Sequence, residues 1–474
     1  MRTSCVLTVC LLAAFAGAAE PPTAQTTLDN QTNVALTAYN NGLALVRDTR
    51  QVALPQGEIR LKFMDVAQQI RPETVSLRSV SAAGSVAILE QNYEYDLISP
   101  AKLMEKYVGK QVKLMNFSKE MTFGPGKPDL IDAELLSVNE GPIYKVGEEI
   151  FLGHPGNVVL PEIPENLIAE PSLIWLVNNQ KADQQLEVTY LTNGVTWQAD
   201  YVVTLANTDQ SLDVAGWVTM NNQSGATYTN AQLKLVAGDV NVAPPQERNK
   251  EKLDLLYEAK AEREPLPHEE AFAEYHLYTI ARRTTIKQNQ SKQLALLTGS
   301  GVKCAKKYEY RGQESYYSQQ LPPMEEERVG VFLEFRNEEA NHLGIPLPAG
   351  VMRIYQEDSE KMLQFAGEDR IKHTPKDETV RLKMGMAFDV VAQRVQKDYQ
   401  RIAPNVHESS YEITLRNHKE SAIVVDVVEP MPGDWQILEK SQEFVKKDAR
   451  TAIFSVPIAK DGEVKVTYRV RVKY

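Results

Sequence analysis

The sequence predicts an all-β protein built from several antiparallel β-sandwich or small-barrel units in series. Apolar and polar residues alternate with period two along many short runs, turn-forming residues separate those runs, and helical patterning is confined to two short stretches. Ile59, Leu61 and Phe63 alternate with Arg60 and Lys62, and Leu186, Val188 and Tyr190 with Glu187 and Thr189. The same holds for Val329, Val331, Leu333 and Phe335, for Val380, Leu382 and Met384, and for Tyr411, Ile413 and Leu415. Successive strand side chains point to opposite faces, so each run reads as a half-buried strand. Asn40-Asn41-Gly42, Pro55-Gln56-Gly57, Asn193-Gly194, Pro432-Gly433-Asp434 and Asp461-Gly462 supply the turns.

Taken in order, residues 1–19 read as a secretory signal peptide. A single Arg2 precedes an apolar run from Cys5 to Ala16, and Gly17-Ala18-Ala19 gives a small-residue cleavage site before Glu20-Pro21-Pro22. The run is short of the roughly 20 residues that span a bilayer. A lipoprotein reading of Cys10 fails because a bulky Val9 stands where a small residue should precede it. A first β unit follows over 20–98. Ser99-Pro100 then opens a short helix near 100–108, with a capping hydroxyl before a proline at the first helical position, and Gly109 closes it. That helix begins a small β-barrel-like unit over 99–170. A central β-sandwich over 171–324 is interrupted by a connector at 247–270. Within the connector, 247–264 reads as a polar helix with Leu253, Leu256 and Tyr257 on one face. A C-terminal β-sandwich occupies 325–474.

Composition excludes several functions. The 474 residues carry 52 basic and 63 acidic side chains, a net charge of −11 without a basic block, which argues against nucleic-acid binding. At 43% hydrophobic the chain is too apolar for a disordered protein. No apolar segment follows the leader, so no transmembrane span is expected after cleavage. Leader removal takes Cys5 and Cys10 and leaves Cys304 without a disulfide partner. Lysines beside it offer a reactive-thiol reading; an ordinary side chain near a strand end is the expectation.

Catalytic and metal motifs are missing: there is no His-Glu-x-x-His, no Cys-x-x-Cys and no nucleophile elbow. Gly124-Pro125-Gly126-Lys127 is followed by Pro128 rather than a hydroxyl residue, so it reads as a hairpin turn. The seven histidines, His154, His268, His276, His342, His373, His407 and His418, share no ligating spacing. Glu368-Asp369 and Asp377-Glu378 bracket a loop that offers calcium carboxylates, but Arg370, Lys372, His373 and Lys376 make a self-neutralised turn the stronger reading. Sequons at Asn30, Asn116, Asn222 and Asn289 matter only in a eukaryotic secretory pathway. No catalytic residue, metal or cofactor is therefore assigned.

The aromatic stretch of the central unit carries the one candidate site. Trp197 shares its strand face with Ala199, Tyr201, Val203 and Leu205 and reads as core. Trp217 falls out of phase with Leu212, Val214, Val218 and Met220 and so faces outward. Together with Asn221, Asn222 and Tyr228 it composes a candidate ligand surface, where rings stack on sugars and amides bind hydroxyls. Val464, Val466, Tyr468, Val470, Val472 and Tyr474 alternate with polar residues to the end of the sequence, as in a terminal outer-membrane strand. Most other runs are shorter, and a sandwich strand with a basic wet face is the preferred reading.

Five segments in order carry a family resemblance: Tyr39–Val46, Leu89–Leu97, Tyr190–Tyr201, Leu235–Asn241 and Pro346–Tyr355. They are similar to segments of exported bacterial proteins with a domain of unknown function, distantly similar to mucoidy inhibitor A proteins. The resemblance implies an exported, β-rich envelope protein and brings no catalytic residues; the coiled coil typical of the mucoidy-inhibitor branch is missing here. The resulting expectation is a non-enzymatic binding or scaffold protein of the bacterial cell envelope, in the periplasm or at the cell surface, with an envelope protein or glycan as partner. A hydrolase acting on an envelope polymer and an outer-membrane β-barrel are the alternatives.

Overall fold

A computed structural model describes residues 20–94, 96–116, 129–153, 157–164, 167–168, 170–238, 240, 269–272 and 275–474. The expected leader over 1–19, the helical connector over 247–264, the Gly124–Lys127 turn, His154 and His268 lie outside the described residues.

Strands dominate, as the alternation requires. Among the described residues a single α-helix occurs, Pro100–Lys106, capped as expected: the Ser99 hydroxyl accepts from the Lys102 amide at 3.2 Å and Pro100 takes the first helical position. Gly109 ends the segment at φ +77°, a conformation open to glycine.

The described strands form four sheets. The first is ordered Thr23–Thr26, Gly57–Met64, Ser172–Asn179, Val86–Glu94. The second centres on Tyr228–Ala237, Gln31–Tyr39, Leu43–Ala53 and Asp183–Asn193. A small five-stranded sheet over residues 111–159 has its own core of Tyr107, Val112, Leu114, Ala133, Leu135 and Tyr144. The fourth and largest runs from Leu363–Ile371 through Gly350–Glu357, Val195–Leu205, Ser211–Asn222 and Gln290–Arg311, and on to the last strands of the chain.

Most pairs are antiparallel, as the alternation predicts, but the sheets are mixed. Among the described residues four pairs run parallel, including Gln31–Tyr39 with Tyr228–Ala237 and Val195–Leu205 with Gly350–Glu357. Partners so distant in sequence are joined by long connections, which permit the parallel sense that hairpins forbid. Pairing also crosses the boundary expected at 170/171. Ser172–Asn179 is the strand between Gly57–Met64 and Val86–Glu94, and Asp183–Asn193 pairs with Leu43–Ala53 and Ser76–Ser79. The 99–170 segment therefore leaves and re-enters one sheet, closed at its neck where the Ile98 amide reaches the Ile168 carbonyl at 3.0 Å and the Ile168 amide reaches Asp96 at 3.1 Å. The 324/325 boundary is crossed too: Gly350–Glu357 pairs back onto the central strand Val195–Leu205.

Two apolar clusters hold the larger sheets. One joins Leu61, Phe63 and Trp175 of the first sheet to Leu36, Val46 and Val188 of the second and Tyr201, Val203 and Val218 of the fourth. The other gathers Val329, Ile413, Phe454, Val466 and Tyr468. The 22-residue strand Gln290–Arg311 runs between them, pairing with Ser211–Asn222 at its start and with Glu327–Arg336 and Ile423–Pro430 near its end.

Val466, Tyr468, Val470 and Val472 are buried in this second core, while Arg469 and Arg471 bond Glu408 on the opposite face. The apolar side of the last strand thus packs against protein. A barrel strand would turn that side to lipid, so the outer-membrane reading of the alternation is corrected. No helix among the described residues is long and apolar enough to cross a membrane.

Candidate ligand surface

The four residues singled out by sequence divide into two pairs. Trp217 is 39% exposed, whereas Trp175, Trp197 and Trp435 are at most 8% exposed. Alternation places it so: Leu212, Val214, Val218, Met220 and Asn222 point inward from Ser211–Asn222, while Asp213, Trp217 and Asn221 point out. Trp217 lies opposite Asp200 on one neighbouring strand and Ala295 on the other. The small Ala215 and Ala295 beside it leave the indole face open.

Asn222 and Tyr228 are correspondingly removed from the surface. Asn222 is fully buried; its amide donates to the Ala226 carbonyl at 2.8 Å and the Ile286 carbonyl at 3.3 Å, and its oxygen accepts from the Ser224 amide and hydroxyl. The Ser224 and Tyr228 hydroxyls pair at 2.9 Å, and burial raises the Tyr228 pKa above its ordinary value. These groups pin a turn to the strand Thr284–Ile286. They hold the sheet edge and have no surface to offer a ligand, which also closes the Asn222 sequon to modification.

Around Trp217 the outward face carries a polar ladder across five strands. Glu368 lies 3.3 Å from the Arg353 guanidinium, which lies 3.1 Å from Asp200. Asp200 accepts from the Thr219 hydroxyl at 2.7 Å, and Thr219 from Gln293 at 3.3 Å. Pairing of Thr204 with Tyr355 puts Tyr355 on the same face, and Tyr355 meets Phe365 edge-on at 5.7 Å between centroids. At about 3.3 Å per residue and about 4.8 Å per strand, Trp217 and Tyr355 are separated by about 13 Å along the strands and about 10 Å across them. Arg353, paired with Val202, stands between. Chemically this is a sheet face with aromatic surfaces at two ends and donors and acceptors between them.

Sequence reasoning missed Tyr355, Phe365 and the ladder. Alternation of Val351, Arg353 and Tyr355 with Met352 and Ile354 marks them as outward, but nothing local shows that their strand lies parallel to Val195–Leu205.

Several of the remaining ionisable candidates are engaged internally. Asp369 accepts from the Arg370 and Lys383 amides. His342 bonds the Ser300 carbonyl, His373 accepts from the Ala349 amide and His407 pairs with Tyr399. Among the described residues no three His, Cys, Asp or Glu side chains converge as metal ligands would. Burial, with Asp209 nearby, pushes the Cys304 thiol up to about 11, so the adjacent lysines do not activate it.

Against known proteins, the family model described as a domain of unknown function (DUF4139) matches residues 186–474, which contain every residue of this surface. No curated protein matches the chain.

Proposed function

We propose that this chain, which belongs to that family of domains of unknown function, is an exported, non-enzymatic binding protein of the bacterial cell envelope, and that it holds an envelope glycan on the sheet face around Trp217. Export rests on the leader-like pattern of residues 1–19. The binding role rests on one observation: a half-exposed indole on an outward sheet face, flanked by alanines, with a ladder of hydrogen-bonding groups leading toward Tyr355 and Phe365. Flat apolar rings match the apolar faces of pyranose rings, and amide, hydroxyl and guanidinium groups match their hydroxyls. The separation of Trp217 and Tyr355 suits an extended saccharide better than a single ring. Asp200 and Glu368 are both tied to Arg353, an arrangement that orients donors and leaves neither carboxylate free for acid–base work.

Affinity electrophoresis through gels containing envelope polysaccharides tests this. The intact protein is expected to be retarded by at least one polymer, Trp217→Ala to migrate as in a blank gel, and Tyr355→Ala to be retarded less than wild type. Equal retardation of wild type and Trp217→Ala, or none with any polymer, contradicts the surface. Release of shortened saccharides in the same incubation moves the reading to a hydrolase.

A further inference from the structure

A second site, independent of the Trp217 face, lies on the outward side of the strands around the second core. In Glu327–Arg336, Gly330 falls between Glu309 on one neighbouring strand and Met386 on the other. Register shifts occur on both sides of it, between Arg328 and Gly330 and between Val331 and Phe332. A glycine amid strand irregularities marks a place where the strand bends or another group approaches closely. A Cβ at Gly330 would come 3.0 Å from the Phe332 ring and 3.3 Å from the Glu309 carbonyl. What results is a hollow of about 440 Å³ with Gly330, Phe332 and Met386 in its apolar lining and Arg311, Arg328, Lys383, Glu309 and Glu327 in its charged lining.

The charges do not balance. Glu309 is bound by Arg381, with Arg311 at 3.5 Å, and Glu327 lies beside Tyr310. Arg381 is committed further, to Glu334 and the Phe332 ring. Arg328 rests over the Phe388 ring at 4.6 Å, and neither it nor Lys383 has a carboxylate partner among the described residues. Met386, in the lining, is 53% exposed, and Phe388, under Arg328, is 75% exposed.

We propose that this hollow binds an aliphatic carboxylate, its chain laid over Gly330, Phe332 and Met386 and its charge drawn to the cationic rim, where Arg328 stands at one end of the path and Lys383 at the other. The lining is apolar beneath, its three cations outnumber its two carboxylates, and the volume lies in the range of small-ligand sites. A peptide fits less well. The strand beneath is paired on both sides, with Gln290–Arg311 and Thr379–Ala403, so an extended backbone would find no free main-chain groups to bond.

Titration calorimetry of the full chain with decanoate, decanol and a capped tripeptide ending in a free Leu carboxylate tests the proposal. Decanoate is expected to bind, and to bind at least tenfold more weakly to Arg328→Gln/Lys383→Gln, whose exposed substitutions leave the melting temperature unchanged. Decanol, with the chain but no charge, is expected to bind more weakly than decanoate and to ignore the double substitution. Gly330→Leu, which fills the hollow, is expected to abolish decanoate binding. No decanoate binding, binding indifferent to the double substitution, or tighter binding of the peptide overturns the proposal.

Discussion

Arg394 and Glu429 meet as a bidentate ion pair with both side chains fully buried, guanidinium Nη2 on Oε1 and Nη1 on Oε2 at 3.1 Å. Tyrosines surround them: the Tyr317 hydroxyl donates to Glu429, Tyr468 hydroxyl lies 3.0 Å from that of Tyr317, and the rings of Tyr316 and Tyr310 stand about the guanidinium. Gly312 admits the pair, since a Cβ there would lie 2.6 Å from Glu429 Oε2. A buried pair is a weak source of net stability, because desolvation offsets the attraction, but an unpaired buried charge is costly.

Substitution of one partner should therefore cost far more than substitution of both. Glu429→Leu or Arg394→Met alone is expected to lower unfolding free energy by about 3–5 kcal/mol, and the double variant by much less. Urea unfolding of the three variants checks this; a double variant as unstable as the sum of the singles would contradict it.

The two halves of the candidate surface should separate by stability. Asn222→Ala leaves two carbonyls and the Ser224 donors without their partner, an expected loss of about 2 kcal/mol or more. Trp217→Ala should change stability by only about 0.5 kcal/mol. Thermal melts of both decide it, and the reverse order would place Trp217 in the core.

Alkaline pH should weaken the fold through its buried tyrosines. Burial raises the pKa of Tyr190, Tyr201, Tyr317 and Tyr468 well above the ordinary value and that of Tyr411 up to about 12. Below about 10, the unfolded value, these groups are neutral in both states and their contribution is fully present. As pH rises beyond that, the unfolded chain ionises first, so stability falls toward and through the folded values. Urea midpoints measured from pH 8 to 11 should hold steady and then drop; a flat profile to pH 11 would contradict the burial assigned here.

Cys304 should resist alkylation. With its thiol raised to about 11 and its Sγ directed at the Asp209 carbonyl, labelling by iodoacetamide at neutral pH should be much slower than for a free cysteine. Mass spectrometry of the Cys304 peptide against pH reads the rate, and fast labelling at pH 7 would restore the reactive-thiol reading.

Much of this was legible in the alternation. Period two gave the strands, the inward face of the final strand and the outward turn of Trp217, because each depends only on local phase. The same phase carries Asn222 inward after Val218 and Met220, a signal that amide chemistry at the surface masked. Long-range pairing was not legible. Ser172–Asn179 looks like the start of a new sandwich but completes a sheet begun before residue 98, and Tyr355 reaches the Trp217 face only through a parallel pairing across some 150 residues. Such contacts are set by global packing that no short window contains.

Trp217 provides its own reporter, being far more exposed than the other three tryptophans. Acrylamide quenching of tryptophan fluorescence should be dominated by it and should be nearly lost in Trp217→Ala. If saccharides lie on this face, adding the polymer that retards the protein should lower the quenching constant of wild type toward that of the variant and leave the variant's constant alone. Quenching of wild type that stays the same with polymer bound would mean that the glycan sits elsewhere.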